Sequence, residues 1–224
     1  MFEPTDFLPA TAPQPLAADG VHLWLLPLAA GAGPAVALAA TAQANAFLRD
    51  VVGRYVGRAL VDGDFVRGEH GKPALRDAAR LRFNLTHCAG AALVAIADGV
   101  EVGVDVEATG GRARPYAALA RRYFRGTEAD WIAAQPAASV QSAFVALWTA
   151  KEAVLKATGR GIAFGLERLE FATGAGGVGP LVAIDAPAAP ADAWQVHAFA
   201  PLPGLAGAVA WRGAPRRLAG FRSA

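Results

Sequence analysis

The stretch VGVDVE, residues 102 to 107, alternates valines with Gly103, Asp105 and Glu107. A period of two reads as a β-strand, on which residues two apart share a face, so Asp105 and Glu107 present two carboxylates in one direction. On a partly buried face such a pair repels and loses hydration unless it is protonated, paired or neutralised by a metal ion. A solvent-facing edge strand is the competing reading. A third acid lies in WTAKEAVLK, residues 148 to 156, where helical spacing puts Glu152 and Lys156 on one face. Trp148, Val154 and Leu155 can then face the core. An ordinary surface ion pair has the same pattern. Lysine usage argues for more, because Lys72, Lys151 and Lys156 are the three lysines among 21 basic residues. A chain that otherwise uses arginine keeps a compact ammonium on a flexible stem at these positions, as phosphate sites often do.

Three further patterns bear on chemistry. In FNLTHC, residues 83 to 88, Thr86 and His87 end a strand where a hydroxyl and an imidazole could bind phosphate oxygens. A satisfied histidine beside a buried thiol is the alternative. A Cys88–His87 nucleophile is disfavoured, since strand neighbours point apart. Arg112, Arg114, Arg121, Arg122 and Arg125 lie in a stretch with no acid between Glu107 and Glu128. That is either a solvated helix face or a docking patch for an acidic macromolecule. Gly174 to Gly179 matches G-x-G-x-x-G, but Pro180 and a strand-like run follow, so it reads as a glycine-rich hairpin loop and not a dinucleotide fingerprint. No Walker A, G-x-S-x-G, S-x-x-K or zinc spacing is present.

The elements that must position these residues follow from composition and punctuation. Hydrophobic residues make up 54% of the 224 and charged ones 18%, enough for a packed core and against disorder. A net charge of +2 permits anionic partners without demanding nucleic acid. The single cysteine fits a reducing compartment, and a cytoplasmic location is expected. Residues 20–48 carry no Asp, Glu, Lys or Arg. Pro27, Gly31, Gly33 and Pro34 break that run into a strand (21–28), a turn and a helix (35–60), so a membrane role is not expected. Residues 1–20 read as an irregular lead-in. Runs at 81–87 and 91–107 read as strands, with Asp98-Gly99 marking a hairpin. Residues 116–134 read as helical with a break near Gly126, where Thr127 can cap the second piece. A long helix from Ser139 to Gly159 and four short antiparallel strands complete an α/β chain.

In this order and spacing, GKPAL, FNLTHC, VGVDVE and WTAKEAVLK resemble the 4′-phosphopantetheinyl transferases of the larger, Sfp-like type. The similarity extends over residues 47–171 and includes ARRYFRGTEADWI. The resemblance implies two similar α/β subdomains related by a pseudo-twofold, divided here as 1–107 and 108–224, with coenzyme A in the cleft between them. It implies transfer of the phosphopantetheine arm of coenzyme A to a serine of an acidic acyl or peptidyl carrier protein, releasing adenosine 3′,5′-bisphosphate. By motif position Asp105, Glu107 and Glu152 would bind Mg²⁺, a hard cation suited to carboxylate oxygens. Lys156 would contact the reacting phosphate, and Lys72, Thr86 and His87 would hold the nucleotide end, with Asp105 also at the coenzyme. The base would be Glu152 or a metal-bound water. The family usually has serine where this chain has Thr86, and relatives often carry lysines before the first helix. Residues 1–48 contain no Lys or Arg, so that role passes to Arg49 or Arg54, with Arg49 preferred. A monomer is expected, without nucleic acid as partner. The competing readings are a non-catalytic basic-faced binding protein and another Mg²⁺-dependent phosphoryl or nucleotidyl transferase.

Overall fold

The computed structural model describes residues 7–10, 15–29, 31, 33–78, 80–111 and 114–223. Its architecture follows from the alternation in the first predicted strand. In β2 (Gly20–Pro27), Leu23 and Leu25 join one buried cluster while Trp24 joins another beneath α1 (Pro34–Val56). A strand buried on both faces needs a layer on each side. Here α1 covers one face and a second sheet covers the other. The second sheet is backed in turn by α4 (Val140–Thr158), whose apolar face holds Leu147, Val154 and Leu155. The order of layers is helix, sheet, sheet, helix.

The two sheets repeat one wiring. After β2 and α1 come a small hairpin, β3 (Phe65–Arg67) and β4 (Pro73–Leu75), then β5 (Leu81–Cys88) and β6 (Ala91–Asp98). Strand β6 pairs antiparallel with both β5 and β2 and so becomes central. The chain then starts again with β7 (Val102–Ala108), followed by α2 (Tyr116–Tyr123), α3 (Gly126–Ala133) and α4. A second hairpin, β8 (Leu169–Gly174) and β9 (Gly177–Ile184), precedes β10 (Trp194–Phe199) and β11 (Leu205–Arg212). Strand β11 pairs with both β10 and β7, as β6 does with β5 and β2. Finally β12 (Arg217–Arg222) returns to the first sheet beside β2, and β1 (Phe7–Pro9) borders β12, giving the order β1-β12-β2-β6-β5.

Four expectations are corrected here. Phe7–Pro9, inside the expected irregular lead-in, pairs with β12 as an edge strand. The division at 107/108 does not follow the sheets, because it cuts β7, whose strand partner is β11 of the second sheet, and because β12 crosses back to the first. Asp98-Gly99 is not a hairpin: β6 and β7 belong to different sheets, and Gly99, at φ 68°, turns the chain between layers. Thr127 does not cap α3, since Glu128 Oε2 accepts the Arg125 N–H there and Thr127 Oγ1 bonds Glu170 instead. The glycine-rich segment forms the β8–β9 turn, as read. Among the described residues no helix is long and apolar enough to cross a membrane.

Candidate active site

Strand β7 lies where the first sheet's edge, β5, meets the second sheet and α4. Its residues 102, 104 and 106 are valines of the inter-sheet core, which turns Gly103, Asp105 and Glu107 toward α4. Gly103 sets the separation: a Cβ there would overlap the Ala153 carbonyl oxygen and the Ala157 nitrogen, so α4 can rest directly on the strand. From the other side, Asn84 and Thr86 share a face of β5 and both are buried. Asn84 Oδ1 accepts the Val104 N–H at 2.9 Å, which fixes β5 against β7. Two residues on, Thr86 Oγ1 donates to Asp105 Oδ1 at 3.1 Å.

Lys156 of α4 completes the junction. Its ammonium donates to Asp105 Oδ1 at 2.6 Å and to Thr86 Oγ1 at 3.1 Å. The ion pair therefore runs from helix to strand, where an i,i+4 pair with Glu152 was the bland sequence reading. Asp105 is 4% exposed and Glu152 6% exposed. Asp105 Oδ2 and Glu152 Oε1 are buried without a hydrogen-bond partner. Leaving such oxygens unpaired costs free energy and marks a site completed by something else. Burial, then the charge of Asp105, pushes the Glu152 carboxyl up to about 7, with Glu107 adding to the shift and Lys156 opposing it. Glu107, half-buried, is raised by burial and then by Asp105.

Glu107 and Glu152 thus both respond to the Asp105 charge, yet the three carboxylates do not form a ready-made cage. Among the described residues no group of three His, Cys, Asp or Glu side chains has the spacing to hold a metal ion. The donor set nevertheless has the chemistry a hard divalent cation takes: every side chain in it offers carboxylate oxygens, and two of those oxygens are buried and unpartnered.

The remaining candidates are distributed around this centre. His87 is exposed while Thr86 is buried, as neighbours on a strand must be, and burial followed by the Lys156 charge pulls its pKa down. Lys72 does not reach Asp105 or Thr86. Its Nζ donates to Glu101 Oε2 at 2.6 Å and to Val102 O at 2.9 Å. Arg49 pairs with Asp62 at 2.7 Å in a cleft of about 460 Å³ that Phe65, Arg67, Pro73 and Leu85 also line. Lys151 is no phosphate ligand: both it and its partner Glu128 have fully buried side chains, 2.7 Å apart. Of the arginines, Arg114, Arg121 and Arg122 are exposed. Arg125 is held by Asp185 at 3.2 Å and Glu170 at 3.6 Å, and Arg112 lies outside the described residues.

Sequence reasoning missed three parts of the site. Asn84 carries a signal, since it shares Thr86's face at i+2. Gly103 was seen as part of the alternation without its role as the contact surface for α4. The third part is a groove of about 280 Å³ that opens from Glu107 between Arg114, Tyr116, Tyr123, Phe144 and Trp148. Two of its lining rings, Phe144 and Trp148, stack with centroids 5.7 Å apart, and Phe124 stacks on Phe144 at 5.1 Å. Aromatic residues on two helices, α2 and α4, carry no shared period that a sequence reader could detect. A larger cavity, about 520 Å³, lies between α4 and the β8–β9 turn and is lined by no ionisable side chain.

Residues 101–208, which span this centre apart from β5, match the family described as the 4′-phosphopantetheinyl transferase superfamily. The chain is 35% identical over 193 residues to 4′-phosphopantetheinyl transferase HetI of a Nostoc species, covering 74% of this chain and 79% of that protein. It is 28% identical over 128 residues to 4′-phosphopantetheinyl transferase Sfp of Bacillus subtilis, covering 57% of this chain and 55% of that one. With 4′-phosphopantetheinyl transferase AcpT of Salmonella typhimurium the identity is 37% over 97 residues, 43% of this chain and 50% of the relative.

Proposed function

The chain belongs to the 4′-phosphopantetheinyl transferase superfamily, and from that premise we propose that it moves the phosphopantetheine arm of coenzyme A to a serine of an acidic acyl or peptidyl carrier protein. The observation that supports this most is the meeting of Thr86, Asp105 and Lys156 across the sheet junction, beside two unpaired carboxylate oxygens. Asp105, Glu107 and Glu152 would hold Mg²⁺, which when bound supplies charge neutralisation at the pyrophosphate.

Lys156 is held by Asp105 and Thr86 in one orientation, ready to stabilise charge growing on the phosphate that leaves. Glu152, buried on the face of α4 that meets Asp105, would take the serine proton as the general base. As the serine oxygen–phosphorus bond forms, the phosphorus–oxygen bond to adenosine 3′,5′-bisphosphate breaks, and the nucleotide departs with the electron pair. Lys72, Arg49 and His87 would hold the nucleotide end. Lys72 and Arg49 each grip a carboxylate in this structure, Glu101 and Asp62, and a phosphate would replace it. The exposed Arg114, Arg121 and Arg122 would steer the acidic carrier to the groove mouth. The setting is a cytoplasmic monomer.

Incubation with coenzyme A, Mg²⁺ and an apo carrier protein is expected to add one phosphopantetheine mass to the carrier, read by intact-mass spectrometry, with equimolar adenosine 3′,5′-bisphosphate. Absence of both across fatty-acid, polyketide and non-ribosomal peptide carriers would overturn the reading.

A further inference from the structure

Lys151 precedes Glu152 on α4 but points into a different world. Its ammonium touches no solvent and meets three acceptors: Glu128 Oε2 at 2.7 Å, Leu166 O at 2.9 Å and Leu169 O at 2.6 Å. Glu128, equally buried, also accepts the Arg125 N–H at 3.0 Å and the Phe171 N–H at 2.8 Å. Every polar atom of the pair is satisfied, so α4 is tied by directional bonds to the start of α3, to the turn before β8 and to β8 itself.

Among the described residues, the side of α4 that faces β7 has no such tie apart from Lys156. There the α4 backbone at its small residues Ala153 and Ala157 rests on Gly103 of β7, a contact that fixes distance but resists rotation weakly. Consecutive helical residues are ~100° apart, and a carboxylate stands about 6 Å from the helix axis. A rotation of ~20° would therefore displace the Glu152 carboxylate by about 2 Å. Catalytic geometry tolerates far less, since a misplacement near 1 Å costs on the order of a hundred-fold. A buried ion pair is a poor source of stability compared with apolar packing, and conformational specificity is the better reason to keep one.

We propose that Lys151 and Glu128 are positioning residues that set the rotation of α4 and so hold Glu152 and Lys156 in register with Asp105. The reaction they serve is the transferase reading above, on which the kinetic half of this proposal rests. A lysine suits the task where arginine would not, because a tetrahedral ammonium can reach three convergent acceptors and a planar guanidinium cannot.

The test uses the double variant Lys151→Met/Glu128→Gln, which removes both charges and leaves an oxygen for the backbone N–H groups. Mn²⁺ binding is measured by electron paramagnetic resonance with coenzyme A present, alongside kcat and KM. The variant is expected to melt cooperatively, to lose at least about ten-fold in Mn²⁺ affinity and in kcat, and to keep KM for coenzyme A within about two-fold. Cooperative melting with unchanged Mn²⁺ affinity and kcat would overturn the proposal and leave the pair a purely structural one. Should the double variant not melt cooperatively, Glu128→Gln alone decides. Its single acceptor oxygen faces three donors, so a loss of about three-fold or more in both readouts is expected, and no loss overturns the idea. A wild-type protein that binds Mn²⁺ yet modifies no carrier would sink the transferase reading, while the Mn²⁺ comparison would still decide the positioning.

Discussion

Strands β2 and β7 open their units at the same point of the wiring, and each turns polar side chains under a long helix. In the first unit these are His22 and Trp24, and Tyr55 of α1 closes over both. Its hydroxyl lies 2.7 Å from His22 Nδ1 and accepts the Trp24 Nε1–H at 2.8 Å. In the second unit they are Asp105 and Glu107, on the same face as Gly103, and Asp105 Oδ2 stays unpartnered beneath α4. The bulk of Trp24 and Tyr55 fills the space under α1, whereas Gly103 admits the α4 backbone and leaves no ring to seal the acids. One wiring therefore yields a closed polar network in one unit and an open one in the other. Chemistry resides in the residues placed on the scaffold, and the scaffold alone does not assign it.

That contrast can be broken at several points. The largest effect is expected from Asp105→Asn, which removes the charge both Lys156 and the cation need. Turnover should fall by about a thousand-fold or more while cooperative melting persists. Gly103→Ala drives a methyl into the α4 backbone and should cost about 3 kcal/mol in urea unfolding. Gly110→Ala, with open space around it, should stay within about 0.5 kcal/mol.

The open acids also make a pH signature. The folded-state pKa of Glu152, at about 7, lies above its ordinary 4.5, so between those values the folded protein binds more protons than the unfolded chain. The Glu152 contribution to stability in EDTA then decreases as pH rises through that window, in the direction Glu107 also favours and against His22, His87 and His197, whose pKa values burial lowers. Glu152→Gln should flatten the decline and gain about 2 kcal/mol at pH 8 in thermal or urea melts. In the closed network the reverse holds: Tyr55→Phe strands the His22 and Trp24 nitrogens and should lose about 1 kcal/mol, with kcat within about two-fold of wild type. Arg121→Glu/Arg122→Glu is expected to act on carrier encounter alone. KM for the carrier should rise about five-fold at low ionic strength and return toward wild type as salt is added.

Much of the open site was legible because its signals are local. Period-two spacing gives a strand face directly, so Asp105 and Glu107 could be paired from the letters, and helical spacing did the same for Glu152 and Lys156. What a strand face does not encode is its hydrogen-bond partner. Nothing in VGVDVE says that β7 bonds β11, or that Arg217–Arg222 crosses back to lie between β1 and β2. The lysine bias was real but uneven in meaning. Lys156 is at the centre, Lys72 is held by Glu101, and Lys151 is buried against Glu128, more than twenty residues earlier on another helix. Residue type reports the need for a compact ammonium and is silent on which acceptors surround it.

The central claim, that the open acids under α4 carry the reaction and the closed network under α1 does not, is tested by one intact-mass comparison. Wild type, Asp105→Asn and Tyr55→Phe are each incubated with apo carrier protein, coenzyme A and Mg²⁺, and the carrier is weighed over time. The account predicts a phosphopantetheine mass gain at matching rates for wild type and Tyr55→Phe, and none on that timescale for Asp105→Asn. A carrier converted by Asp105→Asn as fast as by wild type would contradict it.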